Sequence, residues 1–403
     1  MLRLLHCADA HLDTPFTLAD MENADVRRAE MRAAFSSMMT YIRQSNVKLL
    51  LIAGDLFDHA FLTRETTALL RREFSSVPDC HIVIAPGRRD FYTEDSVYAE
   101  ADFPQNVHIF CRETPACAAF TVGDDENRPI PVEVWGFACT SPAMGGYEPL
   151  AACRIPEKPA GTHRIFLGHA ALKNDSPADA DAAYVTKEQL ARAQFDYCAL
   201  GSLHNSDGIR RVGATDAQGR TGTTYFGYAG SLVGHGFDEP GLKGAVCGTL
   251  GFDAAGNTVF SVRRLRIARR RYECLDADVS ALPTEQKTEA GVLRFLAKTL
   301  SDAVAAGQMT APDRDTALRL TVSGTLGADV LLTEEAVLRA LAPLGELVLC
   351  DRTVPGDTAY LAADPTLRGA YYSALSEALA AGDPALSETA VLALRLGLKE
   401  IKR

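Results

Sequence analysis

Short apolar runs alternate with helical patterns through the first 250 residues. The runs at 2–9 (LRLLHCAD), 47–55 (VKLLLIAGD), 81–87 (HIVIAPG), 107–110 (VHIF), 132–138 (VEVWGFA), 164–170 (RIFLGHA) and 196–202 (DYCALGS) have the length and β-branched content of buried strands. Between the first two, apolar residues at helical spacing predict a helix over 22–45. Further helices are expected over 63–76, capped by Thr63, and over 186–195, started by Thr186. From about 223 the pattern changes to successive antiparallel strands with glycine-marked turns. After Arg271 it changes again, to helix, strand, helix, strand, and then to an alanine- and leucine-rich tail expected to form two helices split at Gly382-Asp383-Pro384.

Alternating strands and helices imply a layered α/β domain whose ligand chemistry gathers at the carboxyl ends of the strands. That rule directs attention to Asp9, His11, Asp55, Asp90, His169 and His204, all at or just past predicted strand ends. Two aspartates and three histidines, Asp9, His11, Asp55, His169 and His204, make an oxygen–nitrogen ligand set suited to manganese, iron or zinc. Asp13 and Asp58 are expected to support ligands. His6, His81, His108 and His163 lie in or beside strands and read as structural, and His235 carries little weight.

Composition changes little in this picture. Of 403 residues, 47% are hydrophobic and 23% charged, as in an ordinary globular protein with a large core. No apolar stretch is long enough to span a membrane, and histidine and aspartate arrive too early for a secretory leader, so a cytoplasmic protein is expected. The ten cysteines show no C-x-x-C spacing, which fits small core residues in a reducing compartment. A net charge of −11 argues against indiscriminate nucleic-acid binding but allows a local basic stripe. The run RRLRIARRRY at 263–272 is the candidate: as a strand it sets Arg264, Arg266 and Ala268 on one side and Leu265, Ile267 and Arg269 on the other. It reads equally well as a DNA-backbone contact or as an edge strand guarded by charge.

The segments HCADAHLDTPF, LLLIAGDLFD, FLGHA and DYCALGSLH resemble the successive motifs of calcineurin-like metallophosphoesterases, most nearly the SbcD-type DNA repair nucleases and the YhaO group; YAGSLVGHGFDEPGLKG at 228–244 resembles the segment closing their nuclease domain. The resemblance implies an α/β fold: a layered metallophosphoesterase β-sandwich flanked by helices over 1–258, a small α+β capping domain over 259–355 and a C-terminal helical tail over 356–403. It implies manganese-dependent hydrolysis of DNA phosphodiesters, partnership with an SbcC-like coiled-coil ATPase, a homodimer, and no membrane. The tail helices become candidate docking elements, against the plainer reading that they pack on the capping domain.

The resemblance also exposes departures. Of two ion sites bridged by Asp55, the first would use Asp9, His11, Asp55 and His204, all present. The second would add His169, but the family's G-N-H-D reads GRRD here and its G-H-x-H reads GSLH. Arg88 and Ser202 thus replace ligands, and Arg89 replaces the proton-donating histidine beside Asp90. Arginine stays protonated and offers no lone pair. A guanidinium about 4 Å from a dication, at an effective dielectric near 20, is repelled by roughly 8 kcal/mol. With Arg88 pointing into the vacated second site, one tightly held ion is therefore expected; in the alternative geometry Arg88 and Arg89 both turn outward to phosphate oxygens, and the plain reading is a surface turn. Arg89, Asp90 and His169 are the catalytic candidates. The two resulting readings are a nuclease with weak or altered activity and a non-catalytic DNA-end or partner-binding subunit.

Overall fold

The computed structural model describes residues 1–16, 21–124, 128–151, 153–174, 181–215, 221–356, 358–380 and 384–401. By internal contacts it divides into two units, Met1–His235 with Leu242–Arg269, and Gly236–Gly241 with Arg270–Arg403.

In the first unit, β1 (Leu2–Cys7), β2 (Leu49–Ile52), β3 (His81–Ile84) and β4 (Val107–Ile109) lie side by side in parallel. The chain then builds a second sheet. Antiparallel β5 (Ala116–Gly123) and β6 (Pro129–Gly136) lead to β7 (His163–His169), and β8 (Ala171–Leu172) and β9 (Tyr184–Val185) form a small pair of their own. β10 (Tyr197–Gly201), β11 (Arg210–Thr215) and β12 (Thr221–Tyr228) complete the order β11-β12-β10-β7-β6-β5. β13 (Gly244–Phe252) and β14 (Thr258–Arg266) return to the first sheet, giving β14-β13-β1-β2-β3-β4.

Successive side chains on a strand point to opposite faces, so Leu4 and Leu5, or Leu49 and Leu50, enter different cores. Leu4, Leu49, Leu51 and Val83 meet Val134, Ile165, Leu167 and Ala199 between the two sheets. Leu5, Leu50, Ile52 and Ile84 face Phe35, Met38, Leu70 and Phe74 of α1 (Met21–Gln44) and α2 (Arg64–Ser75). Thr63 caps α2 by accepting from Thr66 N at 3.2 Å. On the far side, Phe166, Cys198 and Leu200 pack with Leu190, on α4 (Lys187–Arg192), and Phe195; α3 (Val97–Glu100) is a single turn after β3. Thr186 and Gln189 form a reciprocal capping box at the start of α4. The result is helix, sheet, sheet, helix, with the central strands β1, β2, β7 and β10 buried on both faces, each fully buried Leu or Phe contributing roughly 1.5–3 kcal/mol.

Two expectations meet a different structure. The break placed at 258 falls at the start of β14, which pairs with β13 along its whole length, so the first unit runs on to Arg269. The basic run is not one strand: β14 stops at Arg266 and the next strand starts at Arg271. Beyond Arg266 the alternation lapses, and Ala268 joins the same core as Leu265 and Ile267.

In the second unit, β15 (Arg271–Asp278), β16 (Thr316–Leu326) and β17 (Glu346–Pro355) are parallel neighbours. The crossovers are α5 (Glu289–Ala305) and α6 (Glu334–Ala340), whose Val292, Leu296 and Val337 pack on Leu318, Leu320 and Val322. α7 (Ala359–Ala362), α8 (Leu367–Leu379) and α9 (Pro384–Ile401) follow. Gly382 and Asp383, the expected break in the tail, lie outside the described residues. Arg395 of α9 is buried and donates to Asp351 at 2.8 Å and to the Thr353 hydroxyl at 2.7 Å, which ties the tail to β17.

Candidate metal centre

The loops after β1 and β2 zip together: Asp9 N donates to Gly54 O (3.0 Å), His11 N to Asp55 O (2.9 Å) and Leu12 N to Leu56 O (3.0 Å). This pairing holds Asp9, His11, Asp13 and Asp55 at φ of +48°, +44°, +66° and +50°. Left-handed backbone costs an L-residue about 1–2 kcal/mol, and such strain collects where geometry serves function. Gly54 and Gly87 admit the close approach. A Cβ on Gly54 would sit 2.7 Å from His169 Nδ1, and one on Gly87 2.3 Å from Asp55 Oδ1.

The strand ends bring five side chains together. Asp9, His11 and His204 place ligating atoms within 4.8 Å of one another, and so do Asp9, Asp55 and His169. His11 Nε2 lies 3.3 Å from His204 Nε2 and 3.8 Å from Asp55 Oδ2. His169 Nε2 lies 3.4 Å from Asp55 Oδ2, and His204 Nε2 lies 3.9 Å from Asp9 Oδ1. Asp55 Oδ2 thus faces both His11 and His169, and Asp9 joins both groups.

Neighbouring groups fix these side chains. His11 Nδ1 bonds Asp58 Oδ1 at 2.8 Å, which leaves Nε2 facing inward. His169 Nδ1 sits 3.0 Å from Ala53 O. Asp9 accepts Ser202 N at 3.2 Å on both oxygens. Asp55 Oδ1 accepts Arg89 N at 2.8 Å, so Oδ2 is the oxygen turned to the histidines. Asp58 thus supports a ligand as expected. Asp13 instead accepts Thr63 N (2.8 Å) and Thr66 Oγ1 (2.9 Å), and clamps the start of α2.

Asp90 is fully buried and accepts Asp55 N (3.0 Å), Leu56 N (2.8 Å), Gly87 N (2.6 Å) and Tyr98 OH (2.6 Å). It positions the Asp55 loop through these bonds. Arg88 and Arg89 separate. Arg88 is half-buried and its charge acts on Asp55 and Cys139; Arg89 is exposed, acts on Asp58, and contributes its backbone to Asp55.

Burial raises Asp9, with His169 and His204 partly offsetting it. Burial would raise Asp55 too, but His169, His11, the Arg89 amide and Arg88 hold it below the usual carboxylate range. His11 would be lowered by burial, yet the Asp58 hydrogen bond and the charges of Asp55 and Asp9 bring it up to about 9. The cluster therefore favours positive charge. His169 Nε2, buried and without a hydrogen-bond partner, points at Asp55 Oδ2. Two carboxylates and three imidazoles, one of them with an orphaned nitrogen, fit a divalent cation.

The remaining candidates lie elsewhere. His6 Nδ1 pairs with Tyr197 OH (2.7 Å), His81 and His108 stack with Phe120, and His163 stacks on Phe252. Of the basic run, Arg263 donates to Tyr41 OH (2.6 Å), Arg266 turns back to the Ala268 and Arg269 carbonyls, and Arg271 is buried in the second unit beside Glu273. His235 is the residue undervalued in the sequence: its ring lies 5.1 Å from that of His11. Its signal was its place in GHGFDE, inside the segment resembling the close of the nuclease domain.

Among the described residues no helix is long and apolar enough to cross a membrane. Over 209 residues the chain is 27% identical to a Bacillus subtilis (strain 168) protein described as "Uncharacterized metallophosphoesterase YhaO", the match covering 50% of this chain and 48% of that one. The chain thus spans about half the length of that curated relative. Among solved structures, TT1561 of Thermus thermophilus aligns at TM-score 0.33 and 12% identity, over 66% of this chain and 99% of that one. GAP50, the anchor in the inner membrane complex of Plasmodium, aligns at 0.37 and 13%, over 66% and 88%. Likenesses that distant carry no argument about activity. The sequence of residues 2–198, which supplies Asp9, His11, Asp55 and His169, matches the Calcineurin-like phosphoesterase family.

Proposed function

We propose that the first unit is a metal-dependent phosphodiesterase acting on DNA, in which Arg88 performs part of the phosphate binding that a second ion performs in two-ion enzymes. The reading is supported above all by the convergence of Asp9, His11, Asp55, His169 and His204, with the charge of half-buried Arg88 acting on Asp55. When bound, a divalent cation, manganese by resemblance, supplies Lewis acidity toward a phosphate oxygen. Asp9, His11 and His204 would hold it with Asp55 Oδ2, and His169 would steady the Asp55 side. Arg88 then grips another phosphate oxygen through its planar fork, and exposed Arg89 meets the neighbouring phosphate at the rim. Arg264 and Arg266, on edge strand β14, offer sequence-independent backbone contact.

No imidazole stands at 89, and arginine does not release a proton at neutral pH. The chemistry should therefore favour leaving groups that need no protonation. Purified protein with Mn2+ is expected to hydrolyse a chromogenic phosphodiester faster than single- or double-stranded DNA, and Asp55→Asn should abolish both. Changing Arg88, Arg89 and Ser202 together to Asn, His and His should raise DNA hydrolysis; no gain would count against the replacement account. Silence on every substrate with DNA binding retained would favour the second reading, a non-catalytic DNA-end subunit, which the replacements at 88, 89 and 202 also suit.

A further inference from the structure

We infer that His235 is a further ligand of this centre and makes its outer position, at Asp9, His11 and His204, rich in nitrogen. The inference rests on reading those three residues as a metal site.

The three imidazoles form a triangle. Ring centroids are 5.1 Å apart for His11–His204, 5.1 Å for His11–His235 and 5.8 Å for His204–His235. The Nε2 atoms of His11 and His204 are 3.3 Å apart. Two nitrogens on one tetrahedral ion, with bonds of about 2.0–2.1 Å, stand roughly 3.3–3.4 Å apart. His11 and His204 are thus already spaced as one edge of a coordination tetrahedron. A ring nitrogen of His235 comes within 4.8 Å of one on His204, a gap that side-chain rotation can close.

The backbone around His235 is fixed for the purpose. Leu232 and Val233 are buried in the helix-facing core. Ser231 donates its N–H (3.0 Å) and hydroxyl (3.1 Å) to His204 O, Lys243 Nζ reaches the same carbonyl at 2.9 Å, and Ser231 bridges Ala8, next to Asp9. The segment that presents His235 is therefore bolted to the two loops that present His204 and Asp9. Phe16 lies near-parallel to the His235 ring, with centroids 6.5 Å apart.

Three imidazoles and a carboxylate suit zinc, cobalt or ferrous iron better than an oxygen-rich set does. Most sites bind zinc more tightly than manganese anyway, so the informative quantity is how the ratio changes. The test uses the full chain stripped of metal, titrated separately with Zn2+ and Mn2+ against a chelating dye, with the visible spectrum of the Co2+-loaded protein as a second readout. His235→Ala and His235→Gln are expected to weaken Zn2+ by about 10- to 100-fold, to change Mn2+ far less, and to alter the Co2+ bands. The Gln variant, which keeps the bulk beside Phe16, carries the test if the Ala variant misfolds. Unchanged Zn2+ affinity and Co2+ bands in a folded His235 variant, with Asp9→Asn abolishing binding, would overturn the role of His235 alone. Unchanged binding in Asp9→Asn would overturn the metal-site reading as well.

Discussion

β7 begins at one histidine and ends at another, and the two ends treat buried charge in opposite ways. At the His163 end, Asp196 accepts Arg164 N at 2.8 Å, Lys158 Nζ at 2.5 Å and the Thr258 hydroxyl at 2.5 Å. Burial would raise its carboxyl, but His163, Lys158 and Thr258 hold it below the usual range. At the His169 end, burial raises Asp9 and the nearby histidines only partly answer it. One end is finished by the fold; the other is left short of positive charge. Satisfied burial serves stability, and unsatisfied burial serves binding.

The sharpest way to break this contrast is to remove a carboxylate from each end. Asp55→Asn should lower turnover on the order of 10³-fold, the worth of several kcal/mol of metal-derived charge stabilisation, without lowering the melting temperature of chelator-treated protein. Asp196→Asn should do the reverse. It leaves Lys158 without its buried counter-charge and should cost about 3 kcal/mol in urea unfolding, while turnover per folded molecule holds. The sign with pH follows from the lowered Asp196: its contribution is full above the unfolded value of about 4 and is lost as pH falls through the lower folded value. Asp196→Asn should flatten that acid limb of the stability curve.

Smaller changes sharpen the comparison. Gly87→Ala drives a methyl toward Asp55 Oδ1 and His169 Nδ1, and should weaken Zn2+ or Mn2+ binding by calorimetry at least about tenfold, the size expected when a ligand loses its alignment. Gly161→Ala, near the other end, meets nothing within 4 Å and should cost only about 1 kcal/mol, for its left-handed φ of +75°. Asp58→Asn keeps the hydrogen bond to His11 but drops the charge; its effect on metal affinity should be the mildest, about tenfold or less.

The seven apolar runs located seven of the buried strands because β-branched length and turn punctuation are local signals. β5 escaped because its inward residues Ala118, Phe120 and Val122 alternate with Cys117, Ala119 and Thr121, which are exposed but too small and weakly polar to mark an outward face. β15 escaped because a basic run merged with β14 on paper, while only pairing partners reveal that the ladder stops at Arg266. The convergence of Asp9, His11, Asp55, His169 and His204 was legible from their position after strands. The burial of Asp90, the half-burial of Arg88 and the nearness of His235 were not, since each depends on which loops the sheet order brings together rather than on its own neighbours in sequence.

That sheet order has a consequence for synthesis. β1 carries the loop with Asp9 and His11, yet one flank of β1 is closed by β13, Leu2 facing Leu250. A nascent chain must wait until Gly244–Phe252 has been made before that flank is covered, and until then an apolar strand edge stands open to other chains. A fragment ending at residue 198 would lack β13 permanently, and should aggregate where the full-length polypeptide stays dispersed.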